Sequence, residues 1–309
     1  MNAATRRIDV IINHASGAED KDAIAAHIPE YFASRGLHAQ VVIARTAAEL
    51  TAAAARASAG DAETVVAGGG DGTIATIAGP LVGTDKRLGV LPLGTFNYFA
   101  RRFDVPLDVD GALEVIAAGA PADADVGEVN GRIFLNNASI GLYPAVLQQR
   151  ETTYRKLGRS RTVAYASVAL VLLEPPALLN LQIEADGVRL ARRTPLLFVG
   201  TNEYQMESLG IRGGECVRGG RLASYITRPL GVVPLWRLAL RAFFRGLHGA
   251  GEFEVVCARE LRVSLRRRRV RVALDGEVIV LEAPLHFCMR PAALTVLAGA
   301  PADSTGRPR

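Results

Sequence analysis

"TVVAGGGDGTIATIAG", residues Thr64–Gly79, combines the pattern of a buried strand with that of a helix. Apolar residues lead into three consecutive glycines, an aspartate, another glycine and a threonine, and apolar residues then recur at helical spacing. A strand, a glycine-rich turn and a helix in succession are typical of a parallel α/β sheet. Such sheets bind ligands beyond the carboxyl ends of their strands, so the stretch predicts a turn at a ligand-binding edge.

The segments on either side of this stretch repeat the same alternation. Short apolar runs predict strands at Ile8–Asn13, Gln40–Ala44, Glu63–Ala67 and Arg87–Leu91, and helical periodicity predicts helices at Glu19–Arg35, Ala47–Ala59 and Ile74–Val82. Thr46 and Glu49 have the spacing of a capping box at the start of the second helix. Residues 1–124 are therefore predicted to form a Rossmann-like α/β domain with a parallel sheet.

Beyond residue 125 the chain changes to the pattern of β-hairpins. Asn130-Gly131, Asp186-Gly187 and Asp275-Gly276 each separate two alternating runs. Asn-Gly and Asp-Gly are strong hairpin signals, so we predict a largely antiparallel β-sandwich domain at residues 125–288. The polar end of the chain, residues 299–309, is predicted to be disordered.

Composition narrows the class of protein. With 309 residues, of which 49% are hydrophobic, the chain is long enough for two cores. The net charge of +5 comes mostly from arginine and suits an anionic substrate, an anionic lipid or nucleic acid without choosing among them. Cys216, Cys257 and Cys288 are far apart and form no CxxC pair, so we expect reduced thiols with neither zinc nor disulfides.

No signal peptide is visible at the N-terminus. The longest apolar run, residues 162–173, falls short of the ~20 residues that a membrane span needs. We therefore expect a cytoplasmic protein without a transmembrane segment, at most peripheral to the membrane.

The glycines of the opening stretch favour an anion. Glycine lets backbone N–H groups approach a phosphate closely, and the following helix N-terminus adds positive potential. The chain contains no Gly-Lys pair, which excludes a Walker loop, and Thr73 stands where a dinucleotide fingerprint has its third glycine. A tight strand-to-helix turn with Asp71 as its cap remains the alternative.

Two further polar turns follow predicted strands. They are "NHASG", Asn13–Gly17, and "LPLGTFNYFARR", Leu91–Arg102. The carboxyl ends of parallel strands share one edge of the sheet, so three glycine-bearing turns are expected to converge there, as a nucleotide site requires.

These motifs, together with "FLNNASIGLYP" (Phe134–Pro144), "LFVGTNEY" (Leu197–Tyr204) and "ALDGEV" (Ala273–Val278), carry a family resemblance. The sequence resembles the diacylglycerol kinase catalytic-domain family, which includes bacterial lipid kinases and, more distantly, sphingosine and ceramide kinases. The resemblance covers nearly the whole chain. It implies a nucleotide-binding α/β domain, a β-sandwich domain for the lipid substrate, an active site between them, and the return of residues 289–298 to the first domain.

The resemblance also implies roles for individual residues, with ATP and Mg²⁺ bound by the first domain. Asp71 is too acidic to hold bare phosphate, so we expect it to act on Mg²⁺, directly or through water. The implied nucleotide-binding residues are Asn13, Ser16, Gly17, Thr46, Gly68, Gly69, Gly70, Asp71, Gly72, Thr73, Thr95 and Asn97.

Phosphoryl transfer to an alcohol also needs a base for the hydroxyl proton. Asp275 and Glu277 match the acidic motif of the family, and the choice between them stays open. A plain hairpin turn is the alternative, since Asp186-Gly187 shows that Asp-Gly can serve as a turn in this chain.

Two basic segments suit a lipid surface. Pro234–His248 has the pattern of an amphipathic helix with an arginine stripe, which suits either docking on anionic lipid or packing on the sandwich. "LRRRRVRV", Leu265–Val272, alternates like a strand, so we interpret it as a basic sheet face toward phosphate or membrane and expect no nucleic acid partner.

One position departs from the family. Arg218 stands where these lipid kinases usually carry an aspartate of a structural Mg²⁺ site in the second domain. A guanidinium repels Mg²⁺, so either that metal is lost or Arg218 replaces its charge.

The resulting expectation is a membrane-peripheral kinase that uses Mg-ATP to phosphorylate a lipid hydroxyl, foremost that of diacylglycerol. A kinase for another lipid or a soluble alcohol, and a nucleotide- and lipid-binding protein of low turnover, are the alternatives. The sequence leaves open whether the chain forms a homodimer.

Overall fold

The computed structural model describes residues 7–157, 177–229 and 253–300. Within this part of the chain, two compact units are present. Unit 1 contains the residues up to 126 and those from 290 onward, and unit 2 contains residues 127–289. The chain passes from one unit to the other within two strands, β5 (Pro121–Val129) and β16 (Leu285–Leu297).

Unit 1 is built on a parallel sheet. Its first four strands lie in the order β2-β1-β3-β4, and the end of β16 pairs with β4. All of these pairings are parallel. Every residue of β3 is buried, as expected for a strand covered on both faces. The predicted α/β class is confirmed, with strands β1 Arg7–Asn13, β2 His38–Ala44, β3 Thr64–Gly69 and β4 Arg87–Pro92.

The helices of unit 1 follow the strands. The expected cap of α2 is present, since Thr46 Oγ1 accepts a hydrogen bond from the Glu49 N–H at 3.1 Å. Helix α3 begins three residues before the predicted start because Gly70 is its N-cap and Asp71 already has helical geometry. Two short helices add to the predicted three. The helices are α1 Lys21–Ala33, α2 Ala47–Ala59, α3 Asp71–Ala78, α4 Tyr98–Arg102 and α5 Val109–Ala118.

Buried side chains from the helices hold the sheet of unit 1 in place. Phe32 of α1, Ile74 and Ile77 of α3 and Phe99 of α4 have no solvent exposure. Gly299, the first residue of the predicted disordered tail, donates its N–H to the carbonyl of Phe103 at 2.9 Å. The rest of that tail lies outside the described residues from 301 onward.

Unit 2 is antiparallel, which confirms the second part of the predicted fold. One sheet has the order β12-β11-β10-β7-β14-β15, and the beginning of β16 pairs with β13, which continues to β8 and β9. The strands are β6 Arg132–Phe134, β7 Asn137–Gly141, β8 Leu179–Ala185, β9 Val188–Thr194, β10 Leu196–Gly200, β11 Leu222–Thr227, β12 Phe253–Ala258, β13 Glu260–Ser264, β14 Arg269–Leu274 and β15 Glu277–Glu282.

The core of unit 2 lies between these two sets of strands. Ile140 and Val199 from the first set pack with Ile183, Leu261 and Phe287 from the second. Among the described residues of unit 2 there are three helices, α6 Leu142–Leu157, α7 Glu203–Ser208 and α8 Gly214–Arg218.

The expectation of reduced cysteines is wrong for two of the three. Cys216 of α8 and Cys257 of β12 form a disulfide, with their Cα atoms 5.5 Å apart. They are 41 residues apart in sequence, and tertiary packing brings them together because α8 lies against β11, the neighbour of β12. Cys288 is partly buried and takes no part in this disulfide.

Two sequence predictions lie outside the described residues, the apolar run 162–173 and the amphipathic helix Pro234–His248. In the part of the chain that the structure describes, no helix has the length and apolar character needed to cross a membrane.

Candidate active site

The sheet of unit 1 has a topological switch point between β1 and β3. The chain leaves β1 for β2 on one side and leaves β3 for β4 on the other. The connections after β1 and β3 therefore diverge, which opens a crevice at the carboxyl ends of these strands. The turns at residues 13–17 and 69–73 border this crevice.

Thr73 joins these two turns. Its hydroxyl accepts a hydrogen bond from Asn13 Nδ2 at 2.8 Å and lies 3.2 Å from the hydroxyl of Ser16. Thr73 is only 5% exposed, so the three polar groups are held in one geometry. The structure thus brings together three residues that the sequence assigned to a nucleotide site.

The glycines let the turns pack backbone against backbone. A Cβ atom added to Gly94 would lie 2.5 Å from the Cα of Gly70, and one added to Gly69 would lie 2.5 Å from the Cβ of Thr73. Gly17 has φ +63°, and an added Cβ would overlap the carbonyl oxygen of Leu93. Side chains at Gly17 or Gly94 would push neighbouring turns apart, and one at Gly69 would collide with Thr73 within its own turn. This packing role is one that the sequence analysis did not assign.

Asp71 fastens the second turn to the third. Its Oδ1 accepts the N–H of Phe99 at 2.9 Å, and its Oδ2 accepts the N–H of Tyr98 at 3.2 Å. Asp71 therefore caps α4, which follows the next strand of the sheet. A carboxylate offers about four lone-pair sites, so these two bonds do not by themselves prevent it from binding a cation.

Asn97 shapes the third turn from inside. It is 4% exposed and adopts a left-handed conformation with φ 51°. Its Oδ1 accepts the N–H of Gly94 at 3.0 Å, and its Nδ2 donates to the carbonyl of the same residue at 3.0 Å. The Asn97 side chain is thus used within the turn, whereas Thr95 is exposed. Thr46 lies after β2 at the same edge, where its hydroxyl caps α2.

A buried lysine borders the first turn and was missed by the sequence analysis. The Lys21 side chain is 3% exposed, and its ammonium donates to the Glu19 carbonyl at 2.7 Å and to Glu19 Oε2 at 3.2 Å. The backbone N–H of Glu19, and to a smaller extent Lys21, lower the pKa of the Glu19 carboxyl. One feature of the sequence could have pointed to Lys21. Lysine is rare in this chain, which has only three lysines among its 36 lysines and arginines.

Asp275 and Glu277, the two candidate bases, have different environments in unit 2. Asp275 is 9% exposed, and its Oδ1 accepts the N–H groups of Asn136 at 2.7 Å and Asn137 at 3.0 Å. Its Oδ2 accepts the N–H of Leu135 at 2.7 Å. Glu277 begins β15 and reaches solvent, yet desolvation by the protein atoms around its carboxyl raises its pKa above the ordinary value.

The other two hairpin turns resemble the turn at Asp275. Asp186 has the same φ of 46° and accepts the N–H groups of Arg259 at 3.0 Å and Glu260 at 2.9 Å. Asn130, also at φ 46°, accepts the N–H of His286 at 2.7 Å. Each turn thus holds a neighbouring connection through its first side chain, which we call a hairpin latch. Asp275 is one of three such latches.

The first part of the chain matches a known domain family. Residues 7–129, which contain all three turns, match the family model described as diacylglycerol kinase catalytic domain. This part of the chain is therefore similar to the catalytic domain of diacylglycerol kinases.

Two curated diacylglycerol kinases are similar in sequence to this chain. The chain is 27% identical over 281 residues to a diacylglycerol kinase of Bacillus subtilis (strain 168), covering 88% of this chain and 90% of the relative. It is 28% identical over 204 residues to a diacylglycerol kinase of Staphylococcus aureus (strain JH9), covering 63% of this chain and 62% of the relative.

A solved structure shares the fold of this chain. The crystal structure of a diacylglycerol kinase from Bacillus anthracis str. Sterne superimposes with a TM-score of 0.73 at 19% identity, covering 96% of this chain and 98% of that one. At this identity the likeness establishes the fold.

The departure at Arg218 is visible in unit 2. Arg218 Nη1 donates to Glu207 Oε1 at 2.8 Å, so its partner is Glu207 of α7 and not Glu215, the nearer acid in sequence. Both side chains are more than half exposed. Among the described residues, no group of three or more histidines, cysteines, aspartates and glutamates is arranged to hold a metal ion.

Proposed function

We propose that this chain is an ATP- and Mg²⁺-dependent lipid kinase that transfers the γ-phosphoryl group of ATP to the free hydroxyl of diacylglycerol, forming phosphatidic acid. The observation that carries the proposal is the convergence of three glycine-bearing turns at the switch point of unit 1, where Thr73 joins Asn13 and Ser16. This convergence lies within the matched kinase domain.

The beginning of α3 suits the phosphates of ATP. Its N-cap is Gly70, which has no side chain to cap the N–H groups of the first helical turn. Uncapped N–H groups and the helix dipole at this position favour an anion. Asn13, Ser16 and Thr73 add a side-chain amide and two hydroxyls that orient the nucleotide beside these N–H groups.

Asp71 would hold the magnesium ion. Mg²⁺ keeps several waters and takes one or two carboxylates together with substrate phosphates, so a single carboxylate at this edge suits it. When bound, Mg²⁺ neutralises charge on the phosphates during transfer. Because Asp71 also caps α4, the same carboxylate would fix the third turn around the nucleotide.

Glu277 suits the role of base better than Asp275. Three backbone N–H groups occupy the Asp275 carboxylate, which makes it a positioning group for the connection before β7. The raised pKa of Glu277 brings its carboxyl closer to neutrality, where a general base is most effective. We therefore assign the hydroxyl proton of the acceptor to Glu277.

Turnover with γ-labelled ATP tests the proposal. Diacylglycerol, monoacylglycerol, ceramide, sphingosine and glycerol are offered with Mg²⁺, and labelled phosphatidic acid is the expected main product. Preferred labelling of another acceptor would replace diacylglycerol as the substrate. ATP binding by calorimetry without transfer to any acceptor would show a binding protein instead of a kinase.

A further inference from the structure

Five arginines form an exposed cluster on unit 2 that phosphoryl transfer leaves unused. Arg266, Arg267 and Arg268 lie in the connection from β13 to β14, and Arg269 and Arg271 lie within β14. All five are exposed, while Val270 and Val272 between and beyond them are buried. The alternation of β14 thus points Arg269 and Arg271 away from the core. We call these five residues the arginine turn.

Little negative charge balances the arginine turn. Glu282, opposite Arg269 in the register of β14 and β15, is the neighbouring acid. Its Oε1 lies 3.8 Å from Arg268 Nη2, and the two side chains are 62% and 84% exposed. An ion pair this long and exposed contributes little, so the turn keeps a strong positive potential.

An aliphatic side chain stands beside this charge. Val280 lies directly opposite Arg271 in the register and is 59% exposed. Its strand, β15, is at the edge of the six-stranded sheet. An exposed valine among arginines adds nothing to solubility, whereas a lipid surface can bind both the valine and the arginines.

We propose that the arginine turn and Val280 dock this chain on an anionic lipid bilayer. The guanidinium groups would bind lipid phosphates, with the arginine stems and Val280 reaching the boundary with the acyl chains. Residues 265–282 contain no aromatic side chain on which a nucleic acid base could stack, which favours lipid over nucleic acid.

The docking surface and the assigned base lie on the same strand. Glu277 begins β15, and Val280 follows three residues later. At about 3.3 Å per residue, this places the backbone of Glu277 roughly 10 Å along the strand from Val280. Docking would thus hold the strand that carries the base near the headgroup region, with the Glu277 side chain on the face of β15 opposite to Val280. This advantage rests on the proposed lipid kinase activity.

Sedimentation with vesicles of phosphatidylcholine containing 30% phosphatidylglycerol tests the docking surface. Arg266→Glu/Arg267→Glu is expected to weaken binding by on the order of a hundredfold. Each basic residue near such a surface adds about fivefold to binding, and each new glutamate is in addition repelled by the anionic lipid. Arg189→Glu/Arg259→Glu changes the net charge equally on exposed residues elsewhere in unit 2 and is expected to weaken binding less than about tenfold.

Val280→Ser isolates the aliphatic contact. It is expected to weaken vesicle binding by about threefold to tenfold, because part of a valine side chain loses its apolar environment. Val188→Ser is the matched control, since Val188 is exposed to 61% against 59% for Val280, and should leave binding within about twofold.

Equal losses from the two arginine pairs would show a general effect of net charge and overturn the proposal. Unchanged binding in Val280→Ser together with tight binding of duplex DNA would identify a nucleic acid surface instead. Turnover of a short-chain diacylglycerol dissolved without vesicles separates the two proposals. Without that turnover, a vesicle pattern as expected would leave the docking surface standing while the kinase proposal fails.

Discussion

At the scale of single residues, the carboxylates of Asp71 and Asp275 have a shared task. Each accepts backbone N–H groups of a different connection, at the start of α4 for Asp71 and before β7 for Asp275. In the sequence, an acid in a glycine-rich turn indicates a metal-binding or catalytic role. In the structure, each of these two acids also positions a second segment of the chain. Substitutions at these residues therefore need a measure of stability beside the measure of turnover.

Asp71→Asn is expected to abolish detectable kinase turnover, a loss of at least about a hundredfold, while costing only about 1 kcal/mol of stability. The amide keeps one acceptor oxygen for the cap of α4 but loses the charge that Mg²⁺ requires. Thermal melting and labelled-ATP turnover measure the two effects.

Asp108→Asn is the matched control for this substitution, because Asp108 caps α5 through the N–H of Gly111 at 2.8 Å. It should leave turnover and melting nearly unchanged, since asparagine is a good N-cap. Wild-type turnover in a folded Asp71→Asn protein would contradict the metal role of Asp71.

Glu277→Gln is expected to lower kcat by ~10²–10⁴ without lowering the melting temperature at pH 7. Because the pKa of Glu277 is raised in the folded protein, the stability that this group contributes is present at low pH and lost as pH rises through the raised pKa. The glutamine variant removes that loss. In the wild type, kcat should fall on the acid side at a pH above the usual glutamate range.

Two further variants, at Asp275 and Asp186, distinguish the loss of a catalytic base from the loss of hairpin structure. Asp275→Asn should lower the melting temperature, because an amide group then faces N–H donors of Leu135–Asn137. Asp186→Asn disturbs another hairpin latch and should change turnover little. Equal losses of kcat in all three variants would mean that hairpin integrity was measured, and Glu277 would lose its role as the base.

At the scale of elements, periodicity and turn chemistry predicted the class of nearly every segment they covered. The apolar runs became the parallel strands of unit 1, and the Asn-Gly and Asp-Gly turns became hairpins in unit 2. What local patterns could not show are contacts across long sequence distances. Examples are the hairpin latch of Asp275 on Leu135–Asn137, the cap that Asp71 places on α4, and the disulfide of Cys216 with Cys257.

Gly94→Ala tests the packing of the turns as elements. The new methyl group would lie 2.5 Å from the Cα of Gly70, and backbone cannot move aside as a side chain can. We expect a loss of about 1–3 kcal/mol in stability and weaker ATP binding by calorimetry.

The matched control is Gly79→Ala, where nothing lies within 4 Å of the added methyl group and φ is −47°. This substitution should be neutral or slightly stabilising. If both variants bound ATP like the wild type, close packing of the turns would be irrelevant to the nucleotide.

At the scale of the whole molecule, the convergence of the three turns was predictable because each turn follows a strand and the strands end at one edge of the sheet. The roles of Asp275 and Glu277 were not separable, because burial and hydrogen bonding distinguish them and both depend on the tertiary fold. The sequence also could not identify the ion-pair partner of Arg218, because Glu207 lies on a different helix.

The nucleotide-free protein is expected to melt at the same temperature with and without EDTA. Arg218 replaces the acid expected of a second-domain magnesium site and pairs with Glu207. A bound structural metal would instead stabilise the folded state by mass action. A clear fall in melting temperature with EDTA, restored by excess Mg²⁺, would show that other ligands keep the metal and that Arg218 does not replace it.

Unit 1 is divided between residues up to 126 and residues from 290 onward, and this division affects how the chain folds during its synthesis. A ribosome finishes β4 long before it synthesises the end of β16, the strand that pairs with β4. At about 5–20 residues per second, the delay is on the order of 10 s. During that time the nascent chain carries β4 as an apolar strand with one edge unpaired. Protection of this edge from pairing with other chains must come from the ribosome-bound environment or from early folding of residues 127–289.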